Sequence, residues 1–152
     1  GANAVIDYRD EDLRGRIRDL TPLPGLDVVF DPVGGELSET ALRSLRPSGR
    51  LVSIGFASGS MPQIQPNILL VKNTSLLGFN FGAYIGWSPV DEREYYEPKV
   101  RCAVEHLFEW YEQGRIRPFV AASYPLERFA EAQDALLGRS TVGKIMLVPS
   151  ES

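Results

Sequence analysis

A chain of 152 residues, 43% apolar and 24% charged, has the length and mix of one globular domain and could bury roughly two-thirds of its unfolded surface. A net charge of −4 and a pI near 5.1 argue against a nucleic-acid or anionic-membrane surface, and no apolar stretch approaches the ~20 residues of a membrane span. One cysteine, Cys102, allows no internal disulfide, and one histidine, His106, leaves too few ligands for a Cys/His zinc centre, so a reducing, cytoplasmic setting is expected. The start, Gly1-Ala2-Asn3-Ala4, lacks the basic and apolar regions of a signal peptide, and its missing methionine suggests a piece of a longer product.

In chain order, Ala4-Val5-Ile6-Asp7-Tyr8 reads as a strand ending on polar residues. Asp10 is expected to cap a helix to about Leu20, with Leu13, Ile17 and Leu20 on one face. Residues 21–25, rich in proline, turn the chain into a strand over 27–31. The next helix, 36–46, carries Leu37, Ala41, Leu42 and Leu45 on its apolar stripe. Pro47-Ser48-Gly49 ends it and a strand over 50–55 follows. Strand, helix and strand at this spacing imply a right-handed parallel crossover.

A loop rich in Ser, Pro and Gln leads to a short helix over 67–72, then to the strand Ser75-Leu76-Leu77-Gly78-Phe79-Asn80-Phe81. Residues 82–96 are aromatic and irregular. A long helix to about Gln113 should turn Val100, Val104, Leu107 and Tyr111 inward, with Pro98 in its first turn or at a kink. The last third reads strand (119–124), helix (126–137), strand (144–148). The class is α/β.

Two of these strands, Leu26-Asp27-Val28-Val29-Phe30-Asp31 and Gly49-Arg50-Leu51-Val52-Ser53-Ile54, open at their carboxyl ends into small residues, where a parallel sheet admits ligands. Yet neither G-x-G-x-x-G nor G-x-x-x-x-G-K-[ST] occurs, so the Gly-rich cradle of a dinucleotide pyrophosphate is not encoded. Asp7, Asp31 and Glu36 offer carboxylates, but nothing in the sequence pairs them for acid–base work. Cys102 and His106, four apart on one helical face, read as packing or surface.

Four stretches taken together, Gly1-Ala2-Asn3-Ala4-Val5-Ile6-Asp7-Tyr8, Asp27-Val28-Val29-Phe30-Asp31-Pro32-Val33-Gly34-Gly35, Gly49-Arg50-Leu51-Val52-Ser53-Ile54-Gly55-Phe56 and Gly143-Lys144-Ile145-Met146-Leu147-Val148, resemble the zeta-crystallin-like quinone oxidoreductases of the medium-chain dehydrogenase/reductase superfamily. The resemblance implies a partial Rossmann-like parallel sheet, the third to sixth strands of the family's six, over residues 1–117. Residues 118–152 then correspond to the strand–helix–strand that returns to the catalytic domain. It further implies NADPH as cofactor, with NADH as the alternative, no zinc, and reduction of a quinone or an α,β-unsaturated carbonyl.

By the same resemblance, Tyr8 and Arg139 flank the adenosine 2′-phosphate, and Val33 touches the cofactor at a strand end. Gly55, Phe56, Ala57 and Ser58 border the nicotinamide half, as do Phe81, Gly82 and Ala83. Without the resemblance, Tyr8 reads equally as a half-exposed strand tyrosine, Arg139 as a solvated turn residue, and Phe56 and Phe81 as core. The strand from Ser75 to Phe81 resembles the family's edge strand, which implies a homodimer. The alternative is a non-catalytic dimerisation module. A methyltransferase core is suggested by Leu45-Arg46-Pro47-Ser48-Gly49-Arg50-Leu51-Val52 but opposed by Asp31-Pro32-Val33-Gly34-Gly35.

Overall fold

The computed structural model describes residues 1–21, 23–138 and 141–149. Its contacts divide the chain into two compact units, Gly1–Arg93 and Glu94–Ser152.

The first unit contains α1 (Leu13–Leu20), β1 (Leu26–Asp31), α2 (Gly35–Arg43), β2 (Leu45–Ser53), α3 (Pro66–Lys72), β3 (Ser75–Gly78) and the single-turn α4 (Phe81–Tyr84). The strands form a parallel sheet in the order β1-β2-β3. Register places Val29, Leu51 and Leu76 in one row and Asp31, Ser53 and Gly78 in the next, on one face. Against this face pack α2 and α3. Leu42, Leu45 and Leu51 are fully buried there, with Leu26, Val29, Ala41, Ile64, Ile68 and Leu69 around them. The opposite face carries the row Phe30–Val52–Leu77. Phe30 is 68% exposed and Leu77 45%, so this face is open.

Several sequence expectations shift. Residues 4–8 form no strand; Val5 is 82% exposed, and Asp7 instead closes a turn by accepting at its carbonyl from the Asp10 and Glu11 amides. A strand exists only where a neighbour completes its hydrogen bonds, and no described strand lies beside this segment. That turn moves the start of α1 to Leu13, with Asp12 rather than Asp10 at its cap. Helix α2 stops at Arg43, short of the expected residue 46. Pro47, Ser48 and Gly49, expected as a turn, lie within β2. Pairing jumps there from Leu26 with Leu45 to Val28 with Arg50, so the extra β2 residues loop out. Ser48 takes φ 63 in that loop and its amide donates to the Asn73 carbonyl at 2.7 Å. Strand β3 ends at Gly78 rather than residue 81, because α4 begins at Phe81.

The second unit holds β4 (Val120–Pro125), a 3₁₀ turn (Leu126–Arg128), α6 (Phe129–Leu137) and β5 (Lys144–Val148), with α5 (Arg93–Glu112) ahead of them. β4 and β5 pair in parallel and α6 packs on the pair, burying Ala132. This is the strand–helix–strand expected from the sequence. Pro98, expected in the first turn of α5 or at a kink, lies in its second turn, where it deletes the hydrogen bond back to Glu94, whose exposed carbonyl water can satisfy. Helix α5 departs from expectation in burying no side chain: Val104, Leu107 and Tyr111 are 41%, 50% and 58% exposed. Among the described residues, no helix is long and apolar enough to cross a membrane.

The two faces of the sheet make opposite predictions for stability. Leu51→Ala, at a fully buried position, should cost about 2–5 kcal/mol in a urea titration. Phe30→Ala should stay within about 0.5 kcal/mol of wild type, as exposed positions do. A large loss for Phe30→Ala would mean that the open face is covered in solution.

Candidate cofactor site

All three strands of the first unit point their carboxyl ends the same way, and each opens into a loop at that edge. The loop after β1 is organised by Asp31, which is 6% exposed. Its Oδ1 accepts from the Val33 amide at 2.9 Å and the Gly34 amide at 3.0 Å, and its Oδ2 accepts from the Ser38 hydroxyl one turn into α2. Burial alone would push this carboxyl up. The Ser38 hydroxyl and the Gly34 and Val33 amides act the other way and prevail, so it ionises below the ordinary 3.8. An ionised carboxylate at the amino end of α2 is also favoured by the helix dipole.

The β1 loop is then bonded to the β2 loop. The Ala57 amide donates to the Pro32 carbonyl at 3.0 Å and the Ser58 amide to the Val33 carbonyl at 2.9 Å. Gly34, at φ 79, sits under this second loop. A Cβ there would lie 2.8 Å from the Phe56 ring and 2.9 Å from the Ser60 carbonyl. Only glycine fits, for reasons of both conformation and space.

The β3 loop completes the edge. The Phe79 amide continues the ladder by donating to the Ser53 carbonyl at 2.9 Å. Asn80 caps α4 by accepting at Oδ1 from the Gly82 amide at 3.0 Å, and the Ala83 amide reaches the Asn80 carbonyl at 3.2 Å. The Phe81 and Tyr84 rings meet edge-on at 6.4 Å. Between the β2 and β3 loops lies an open cleft of about 520 Å³ lined by Ser53, Ile54, Gly55, Phe56, Gly78, Phe79 and Asn80. A neighbouring cleft of about 360 Å³, reached past Phe56, is lined by Asp31, Met61 and Ile64 among others. No atom outside the local backbone lies within 4 Å of where a Gly78 Cβ would project, so a flat ring can approach the strand end there.

The predicted residues thus divide. Gly55 and Phe56 line the larger cleft, and Val33, Ala57 and Ser58 are bonded together beside it. Phe81, Gly82 and Ala83 form the short helix that follows the cleft residue Asn80. Tyr8 is half exposed in the amino-terminal turn and lines neither cleft. Arg139 lies outside the described residues. The sequence did not pair Asp31, and Ser38 went unnoticed, although an Asp at a strand end with Ser seven residues on is a readable signal. Asn80 was missed as a cap. Among the described residues, no group of three or more His, Cys, Asp or Glu is placed to hold a metal.

Residues 1–147 match the model of the zinc-binding dehydrogenase family. Over 148 residues the chain is 34% identical to the quinone oxidoreductase-like protein 2 homolog of Nematostella vectensis, covering 97% of this chain and 38% of that protein. It superposes with TM-score 0.80 on the Escherichia coli quinone oxidoreductase complexed with NADPH, at 32% identity over 98% of this chain and 44% of the other. A mycobacterial homologue complexed with NADPH gives 0.78 at 29% identity, with the same coverage of 98% and 44%. The chain spans less than half the length of these relatives.

Asp31→Asn keeps an oxygen acceptor but removes the charge, and should destabilise the protein by about 1–3 kcal/mol at neutral pH. Because the folded carboxyl ionises below its unfolded value, its contribution is fully present above about pH 4 and is lost as pH falls through the folded pKa. Urea titrations of both proteins should therefore show a gap that closes in acid. A gap independent of pH would refute the ionised assignment.

Proposed function

Since the chain belongs to the zinc-binding dehydrogenase family and corresponds to the carboxyl-terminal half of its quinone oxidoreductases, we propose that it forms the nicotinamide-side wall of an NADPH pocket. In the intact enzyme the acceptor is a quinone or an α,β-unsaturated carbonyl. The observation that carries this reading is the cleft at the carboxyl ends of β2 and β3, framed by Gly55, Phe56, Gly78 and Phe79. Gly78 leaves room for a flat ring against the backbone, and Phe56 and Phe79 supply apolar walls.

The bound nicotinamide supplies the hydride, and this chain's residues orient and shield it. Asp31 holds the Val33 and Gly34 amides, and through the Pro32 and Val33 carbonyls it fixes the β2 loop that carries Phe56. Asn80 sets the start of α4, which presents Phe81, Gly82 and Ala83. Tyr8 and Arg139 flank the adenosine 2′-phosphate in this reading, and NADPH is preferred over NADH through that contact. Residues 1–117 contribute to the cofactor domain and 118–152 to the segment that meets the catalytic domain. Hydride transfer uses no zinc, and the protein is cytoplasmic.

With no Gly-rich pyrophosphate cradle in its sequence, the 152-residue chain should bind NADPH weakly and reduce no quinone. Amide NMR during an NADPH titration should show shifts concentrated at Gly55, Phe56, Gly78 and Phe79. Shifts confined to other regions, or micromolar affinity with turnover, would overturn the proposal.

A second reading, dimerisation, is favoured by β3, an edge strand whose four residues are all exposed. An apolar edge of this kind is satisfied by pairing with a second copy. Light scattering should then report twice the monomer mass, and a clean monomer at high concentration would remove this role.

A further inference from the structure

The opposite end of the same sheet holds a cleft that the cofactor reading does not use. It has a volume of about 500 Å³, within the range of small-ligand sites, and lies where β1 and β2 begin. Four cations line it, Arg14 and Arg18 from α1, Arg43 from α2 and Lys72 from α3, against a single carboxylate, Asp12. In a chain of net charge −4, this is a local reversal of sign.

Three of these cations have an ordinary explanation. Arg18, Arg43 and Lys72 each occupy the last turn of a helix, where a positive charge offsets the negative end of the dipole, and the Lys72 ammonium donates to the Arg43 carbonyl at 2.8 Å. Arg14 has no such explanation. It stands in the first turn of α1, where the dipole disfavours a cation, and four residues before Arg18, so the helix carries a like-charge pair on the cleft side. Among the described residues neither Arg14, Arg18 nor Arg43 has a carboxylate partner. Arg16, two residues on from Arg14 and on the other side of the same helix, is paired with Glu11 at 2.7 Å. Helix α1 thus satisfies the arginine that faces away and leaves the two at the cleft unpaired.

We propose that this cleft binds a small polyphosphate anion, with the Arg14, Arg18 and Arg43 guanidinium forks as its donors and Lys72 as an added point charge. Planar forks match phosphate oxygens bidentately, and the low count of competing carboxylates leaves the donors available. The site is distinct from the nicotinamide cleft, which lies at the carboxyl ends of the same strands.

The test is calorimetric titration of the 152-residue chain with inorganic tripolyphosphate at physiological salt. Saturable binding is expected, weakened about tenfold or more in the double variant Arg14→Glu, Arg18→Glu and unchanged in Arg117→Glu, which reverses a cation outside the cleft. The neutral pair Arg14→Gln, Arg18→Gln, checked by circular dichroism for intact fold, should show an intermediate loss. Amide signals at Gly55 and Gly78 should not move, which separates this site from the proposed cofactor cleft. Binding that fails to saturate, that survives the double variants, or that a hexaglutamate peptide matches in affinity would overturn the proposal.

Discussion

The β1 and β2 loops at the carboxyl edge of the sheet depend on one buried carboxylate. A charge out of water is tolerated only when its oxygens are matched by donors, and Asp31 finds three: two amides of its own loop and the Ser38 hydroxyl on the next helix. Those bonds fix where α2 starts relative to the end of β1. They also orient the Pro32 and Val33 carbonyls outward, and the β2 loop is hung on those carbonyls through the Ala57 and Ser58 amides. Phe56, which walls the cleft, is therefore positioned at third hand by Asp31. Glycine at position 34 is a consequence of the same arrangement, since the Phe56 ring and the Ser60 carbonyl occupy the space of a side chain.

The elements that the sequence made legible are those whose signal is local. β1 is a continuous apolar run between turn residues and β5 is bracketed by Gly143 and Pro149, and both appear close to their expected bounds; α2, with its 3.6-residue stripe, appears but ends at Arg43. What was illegible depends on neighbours. Residues 4–8 have strand propensity, but propensity does not say whether a partner edge is present, and here the segment folds into a turn closed by Asp7 and Glu11. The α5 stripe predicts burial, yet an apolar stripe specifies a contact only when another surface meets it. Interior proline is costly, but at Pro98 an exposed helix lets water take the orphaned carbonyl. In the site, Gly55, Phe56 and the α4 residues were read from resemblance, whereas the Asp31–Ser38 bond, seven residues apart in sequence and adjacent in space, was not seen.

The run Val28-Val29-Phe30 has no polar alternation, which is the pattern of a parallel strand covered on both faces. Helices α2 and α3 cover the Val29 face alone. The row Phe30–Val52–Leu77 on the other side is a contiguous apolar strip that is only partly covered. Stability therefore rests on a narrow core, three leucines fully buried between one sheet face and two short helices. A small core makes the polar anchor at Asp31 proportionately more important, because its loss is not diluted by extensive packing elsewhere.

The two ends of this sheet differ in charge for a reason built into strand–helix–strand topology. Helices that return from the carboxyl edge to the amino edge of a parallel sheet place their positive ends at the first and their negative ends at the second. The carboxyl edge can therefore hold the Asp31 carboxylate, and the amino edge attracts basic residues. Basic residues at the amino edge are on this ground expected and by themselves uninformative. Arg14 breaks the symmetry, because its place in the first turn of α1 runs against the dipole and against Arg18 together. A helix that tolerates both penalties on its cleft side, while pairing Arg16 on another, carries an electrostatic cost that folding alone does not relieve and that a bound anion would.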